Sequence, residues 1–513
     1  MSRYNRREFL GRMGSGMLAS AVGVVAAGEL DLFGFLLAGE ADRLDFGELE
    51  PLVSLMQETP ADALMPKLKA ELDRGTELRA LIAAGALANA RTFGGQDYVG
   101  YHCFMALVPS LSLAGRLSGN HAAVPVFKVL HRNASRIQAV GGRAREVLRP
   151  VPPPPSMEGN AASRLLAAGR NGEFDAAEAA LARAVARGPG AAFASLQPLI
   201  RDNIDVHQVV LAYRSWDMMR LTGEQNASVM LRQTMRQCVD RDEGRRMRGR
   251  PAPSIRSLLP QLIEEHGLDR DIAAAKRLEA KQMDELAQTV FTSGRDDAAR
   301  HVAARLSAGV SREDIGESLS LAAVRLLLHD PGRSSGSQGK PKGSVHGASV
   351  GLHAADSANA WRGIAAVTAA ANANASLVTA AWHAAGQSGR MDPSTPHHAS
   401  VQESAAAVAP EKLLGAMQEA VRGGDQRRSC ALTERYLESG RDPEALIAVL
   451  IEPAVEFDGA LHHEKYFHTA TQEYARSRPE FRSQHLMALT RVMASGYGFE
   501  AKGLELSRSV LGV

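Results

Sequence analysis

Two stretches of the chain are written to one plan: ADALMPKLKAELDRGTELRALIAAGALANAR (61–91) and DDAARHVAARLSAGVSREDIGESLSLAAVR (296–325). In each, an amphipathic run ends on a glycine (Gly75, Gly309), and twelve residues later a leucine (Leu87, Leu321) opens LANAR or LAAVR. Apolar residues three and four apart predict helices, and a glycine suits the left-handed position that ends one. Two weaker copies fit at 174–202 and 425–456. Such a repeat confines the chain to helical architectures in which each unit buries its apolar face on its neighbours.

The segment after each pair extends the plan. The four continuations are GYHCFMALVPSLSLAGRL, DVHQVVLAYRSWDMMRL, SVHGASVGLHAADSANAW and ALHHEKYFHTATQEYAR. Each predicts a third helix with a histidine near its start: His102, His207, His346 and His462. The Arg325–His346 interval exceeds the Arg91–His102 interval by ten residues, which a Gly/Ser-rich insertion supplies. The expected fold is therefore all-α, a fourfold repeat of helical triplets packed as a helical array or a pseudo-symmetric bundle. The units are 28–147, 163–253, 254–385 with a loop at 331–344, and 409–513. A stiff Pro-rich linker (148–162) and a loop (386–408) separate them.

Composition agrees with helices and excludes several function classes. Aromatics make up 5% of the 513 residues, and the small alanine side chain favours close helix packing over a β-sandwich. A net charge of +2 gives no field for nucleic acid or an anionic membrane. The three cysteines, Cys103, Cys238 and Cys430, form no CxxC and allow at most one disulfide. No GxGxxG, Walker A or HExxH motif is present.

The histidines carry the chemical expectation. Read as one helix, 346–356 places His346 and His353 about 20° apart on one face, with Asp356 a neighbour of His353. His and Asp are common transition-metal ligands. The many small residues there allow close backbone approach and leave room for a ligand. In the fourth copy Glu464 and His468 stand four apart, a chelating spacing. These residues define a candidate centre. His102, His207, His346, His462 and Glu464 are expected metal ligands, His353 and Asp356 catalytic acid/base groups, and Tyr98, Tyr213, Asn359 and Lys342 substrate contacts. Iron or zinc is the expected metal, and oxidoreductase chemistry is expected ahead of hydrolysis. The alternative is a non-catalytic α-repeat binding protein whose histidines join helices and whose loop, with Arg333, Lys340 and Lys342, meets a partner.

The first 27 residues resemble a twin-arginine (Tat) export signal. Arg6 and Arg7 precede Phe9-Leu10, and the apolar run from Met13 to Ala27 is too short to span a bilayer comfortably. The resemblance implies export by the Tat machinery to the periplasm or beyond, folding before export, and no stable membrane insertion after cleavage at Ala27. The chain also resembles a group of Tat-exported, all-helical bacterial proteins, on RREFLGRMGSGML, LANARTFGGQDYVGYH, DVHQVVLAYRSWD, GSVHGASVGLHAADSANAWR and DGALHHEKYF. That resemblance implies no particular activity. A fainter similarity, resting on histidine-bearing helices of small residues, is to questin-oxidase-like proteins, which are implicated in oxygen insertion. It transfers no residue.

Overall fold

Four helices, starting at Tyr98, Val206, Val350 and His462, each carry a histidine within their first five residues. The computed structural model describes residues 43–154, 160–273, 276–336, 341–346, 349–457, 461–496 and 501–513. Asp45–Val513 is one unit, and Met1–Leu44 is another. Arg6, Arg7 and the rest of the expected export signal lie outside the described residues. Asp45–Val513 is all-α. Among its described residues there is no strand, only one isolated bridge between Lys276 and Val310.

The first three-helix run is Ala61–Asp73, Leu78–Phe93 and Tyr98–Ala114, and the second is Phe174–Val185, Pro189–Asp202 and Val206–Thr222. The third is Arg295–Ser307, Arg312–His329 and Val350–Val367. In the fourth, Gln426–Glu438 and His462–Arg476 flank a middle helix broken at Leu450 into Pro443–Val449 and Ile451–Glu456. Helices are called below by their first residue. The Leu78 helix is buried from Leu81 to Phe93, and the Arg312 helix is buried over nearly its whole length. Neither can be a surface amphipath, so each is enclosed by neighbours on all sides.

The four third helices pack on one another in a closed circuit. Tyr98 lies on Val206, Val206 on Val350, Val350 on His462, and His462 back on Tyr98. The small residues of the Val350 helix make its place in that circuit. A Cβ on Gly351 would stand 2.4 Å from the Leu327 Cα of the Arg312 helix. On Gly363 it would stand 2.2 Å from the Tyr213 ring of the Val206 helix. Both contacts are far inside van der Waals range, so only glycine permits them. The expected room for a ligand along this helix is thus filled by neighbouring helices.

Buried ion pairs tie the circuit together. Glu473 of the His462 helix accepts from Ser320 Oγ (2.7 Å), Asn359 Nδ2 (2.7 Å) and Arg362 Nη1 (2.6 Å). One carboxylate thereby joins the Arg312, Val350 and His462 helices. Asn359, expected to touch substrate, is spent on this clamp. Burial opposes the charge on Glu473, but Arg362, His485 and the two polar donors prevail and hold its carboxyl down at about 2.

A carboxyl depressed in the folded state adds stability above its unfolded value of about 4.3, and that stability is lost as pH falls toward the folded value. Glu473→Gln should therefore lower stability at pH 7 by an amount at the low end of the roughly 3–5 kcal/mol for breaking a buried pair, because Arg362 keeps Glu313. Urea melts should show the gap between wild type and variant closing as pH falls from about 4 to 2. A gap that stays constant over that range would contradict the clamp.

Candidate functional site

Local devices at the helix starts bring four imidazoles of the circuit together. Asp97 caps the Tyr98 helix by accepting from Gly100 N (2.7 Å), and Arg136 Nε holds its carboxylate at 2.9 Å. Asp205 caps the Val206 helix by accepting from His207 N (2.9 Å) and is held by Arg241 (2.9 Å). Ser349 caps the Val350 helix by accepting from Leu352 N (3.2 Å). Its hydroxyl also donates to Asp330 (2.7 Å), whose backbone carbonyl accepts from the buried Arg491. The His462 helix has no side-chain cap. It starts after Leu461, at φ 58°, the one non-glycine described residue in the left-handed region. A leucine there is strained by about 1–2 kcal/mol, and such strain is common at functional sites.

His102, His207, His353 and His462 occupy positions 5, 2, 4 and 1 of these helices. Their rings form a closed circuit. Centroids lie 4.9 Å apart for His102–His207, 5.6 Å for His207–His353, 5.6 Å for His353–His462 and 5.5 Å for His462–His102. Two tyrosines line one side. Tyr98 lies 4.4 Å from His102 and 6.0 Å from His207, and Tyr101 lies 5.0 and 5.5 Å from the same rings. His207 is part-exposed and Tyr98 is exposed, whereas His102 and His462 are buried, so the site opens to solvent on the His207–Tyr98 side.

Hydrogen bonding orients two of the rings. His102 Nδ1 donates to the Tyr98 carbonyl (2.7 Å), and His102 Nε2 is buried with no partner among the described residues. His207 Nδ1 bonds the Asp205 carboxylate (2.9 Å), leaving Nε2 for another partner. His353 Nε2 is likewise buried without a partner. A histidine with one nitrogen on a carbonyl or carboxylate and the other presented to a centre is the arrangement that surrounds bound metals.

The electrostatics favour neutral imidazoles. Burial, then the nearby Lys465 ammonium, push His102 and His462 well below the ordinary histidine value. Burial, then His207 and Lys465, bring His353 down to about 3. The convergent positive ends of four helices act in the same direction. Lys465 itself is lowered to about 8 by burial, against the opposing charges of Asp356 and Glu464. Asp205 is held well below the carboxylate range. Burial would raise it, but the His207 hydrogen bond and Arg241 prevail.

The expected ligands do not all meet here. His346 and His353 do not share a helical face, because the helix starts only at Val350 and His346 sits in the turn before it. His346 instead packs on the outer side, 5.7 Å from His462 and 4.2 Å from His463. His353 takes the inner place. Glu464 is directed to Lys128, whose Nζ also donates to the Val455 and Phe457 carbonyls (2.6 and 2.7 Å). Its expected chelating partner His468 accepts from Arg214 Nη1 at 3.1 Å, so the two form no pair. Asp356 accepts from Thr469 Oγ1 (2.7 Å), and burial raises its carboxyl against Thr469 and Lys465.

Tyr213 lines a separate cavity with Trp216 and Arg476. Lys342 is exposed, at the neck of a loop pinched by Gly343 N to Arg333 O (2.9 Å) and Arg333 N to Ser344 O (3.1 Å). Lys340 lies outside the described residues. The three cysteines are buried and form no disulfide among the described residues. Asp205 and Lys465, close in sequence to His207 and His462, also belong to the site. Asp205 carries a legible signal, a capping residue two before a histidine.

Among the described residues, no three His, Cys, Asp or Glu side chains are placed to hold a metal ion as they stand. Ring spacing gives a different indication. Imidazoles sharing one ion, with metal–nitrogen bonds of about 2.0–2.1 Å, have ring centres about 5 Å apart, close to the spacings of the circuit. The four centroid distances are near that spacing, although the rings as placed do not converge on one ion.

Stability separates these histidines from their neighbour His463, whose Nδ1 and Nε2 contact the Pro453 and Val492 carbonyls (3.1 and 3.2 Å). His463→Leu should cost about 1–3 kcal/mol by orphaning a buried carbonyl. In metal-free protein His353→Leu should leave the melting temperature unchanged or raise it, since an unpaired buried nitrogen is replaced by hydrocarbon. Equal losses in the two variants, read by thermal melts, would place both in one structural layer. Comparison with protein-family models, with curated proteins and with solved structures finds no match.

Proposed function

We propose that the protein is a metal-dependent oxidoreductase in which His102, His207, His353 and His462 bind one redox-active transition ion. The observation that carries the reading is the closed ring circuit of these four imidazoles at four helix starts. Imidazole sets suit iron and copper as well as zinc. Of iron and zinc, iron is the ion that can exchange electrons, and Tyr98 and Tyr101, with rings 4.4–6.0 Å from those of His102 and His207, are oxidisable groups beside it. His207, the part-exposed ligand, faces the entry side, so a small molecule arriving past Tyr98 meets the ion there. Asp205 and the Tyr98 carbonyl orient the His207 and His102 rings. Asp356 and Lys465, buried behind the ring, are the groups available for proton transfer. The fourfold repeat supplies a reason for the convergence: copies of one histidine-bearing helix closed on a common centre, with His353 taking the place of His346 in the third. Export through the Tat route, which passes folded proteins, fits a chain that acquires its ion first.

A second reading has its own observation, the absence of any three donors placed on one ion among the described residues. In that reading the histidines are a neutral packing layer of a non-catalytic binding protein.

Elemental analysis of the folded, exported protein decides between them. About one redox metal per chain is expected. His353→Ala and His462→Ala should lose nearly all of it, and His346→Ala should keep it, each variant first shown to be helical by circular dichroism. Asp205→Asn should weaken metal binding by roughly 10- to 100-fold. No stoichiometric metal, or equal loss in His346→Ala, would contradict the centre.

A further inference from the structure

A cavity of 430 Å³ lies between the Ala161–Asn171, Pro189–Asp202 and Ile255–His266 helices. Its size falls within the range of small-molecule sites. Its walls are aliphatic, with Leu166, Pro198, Ile255, Leu259 and Ile263 and no aromatic ring. Three arginines line it: Arg170, Arg201 and Arg256. Arg170 and Arg256 are neutralised by Asp202, at 2.5 and 2.6 Å.

Arg201 differs. Its side chain is 93% buried (7% exposed), and its Nη1 and Nη2 donate only to the carbonyl and side-chain oxygens of Asn372, at 3.3 and 3.1 Å. Its Nε is buried with no partner among the described residues. Burial alone acts on it and brings it down to about 10, with no carboxylate opposing. Gln197, one turn earlier on the same helix face, also buries both amide atoms without a partner. A buried cation without a counter-charge is costly unless an anion completes it. The other carboxylates at the cavity, Glu264 and Asp269, are exposed at its edge and would repel a second negative charge.

We propose that this cavity binds a monocarboxylate with a saturated aliphatic tail, its carboxylate on Arg201 and its tail along Leu166, Pro198, Leu259 and Ile263. Arg201 Nε and one Nη would donate side by side to the two carboxylate oxygens, the geometry in which arginine recognises that group. The site is separate from the histidine centre and does not depend on it.

Calorimetric titration of the full chain with decanoate tests the proposal, with decanol as the uncharged tail control. Decanoate should bind saturably at one per chain, and decanol at least about tenfold more weakly. Arg201→Gln should weaken decanoate at least about tenfold and leave decanol unchanged. Ile263→Asp, at a part-exposed wall position, should weaken both. It keeps the test decisive if Arg201→Gln does not fold. No saturable decanoate binding to the wild type, equal affinity for decanol, or an Arg201→Gln chain that binds decanoate as the wild type does would each overturn it.

Discussion

Four helices that each begin beside a histidine close on one another, and that closure sets the rest of the structure. Because the Tyr98, Val206, Val350 and His462 helices touch in a circuit, their starting ends share one small volume. A side chain on the face of each start that turns into that volume meets those of the neighbouring helices. Aspartates or arginines there would repel one another or require counter-charges. Neutral imidazoles do not, and burial together with the convergent helix dipoles favours the neutral form of His102, His353 and His462. Close packing of the Val350 helix through Gly351 and Gly363, and the Glu473 clamp across three helices, hold the circuit shut.

That arrangement holds polar groups unpaired at some cost. His102 Nε2 and His353 Nε2 are buried without partners among the described residues, Leu461 is in a left-handed conformation, and Lys465 is buried beside the rings. Each is unfavourable for folding by itself, and such groups are common at functional sites. His463, immediately outside the circuit, shows the contrast, because its ring lies between the Pro453 and Val492 carbonyls and its N–H donates to one of them.

The all-α class was legible because apolar spacing, alanine content and glycine stops are local signals. The meeting of His102, His207 and His462 was legible from their matching places after three helix pairs. The exchange of His346 for His353 was not. Where the Val350 helix begins depends on Ser349, on Asp330, and on Arg491, which reaches Asp330 from 161 residues away in sequence. Glu464 was misassigned for a similar reason: its partner Lys128 is 336 residues distant, and no spacing rule reports such a pair. Asn359 likewise faces Glu473 across 114 residues. Local periodicity places a residue on a face, but long-range pairing decides what that face meets.

X-ray absorption at the metal edge of the purified protein examines the convergence most directly. A centre built by His102, His207, His353 and His462 predicts nitrogen scatterers at about 2.0–2.1 Å, with the outer-shell pattern of three to four imidazoles, reduced by one ring in His353→Ala. A metal surrounded by oxygen or sulfur without imidazole scattering, or a spectrum unchanged in His353→Ala, would contradict it.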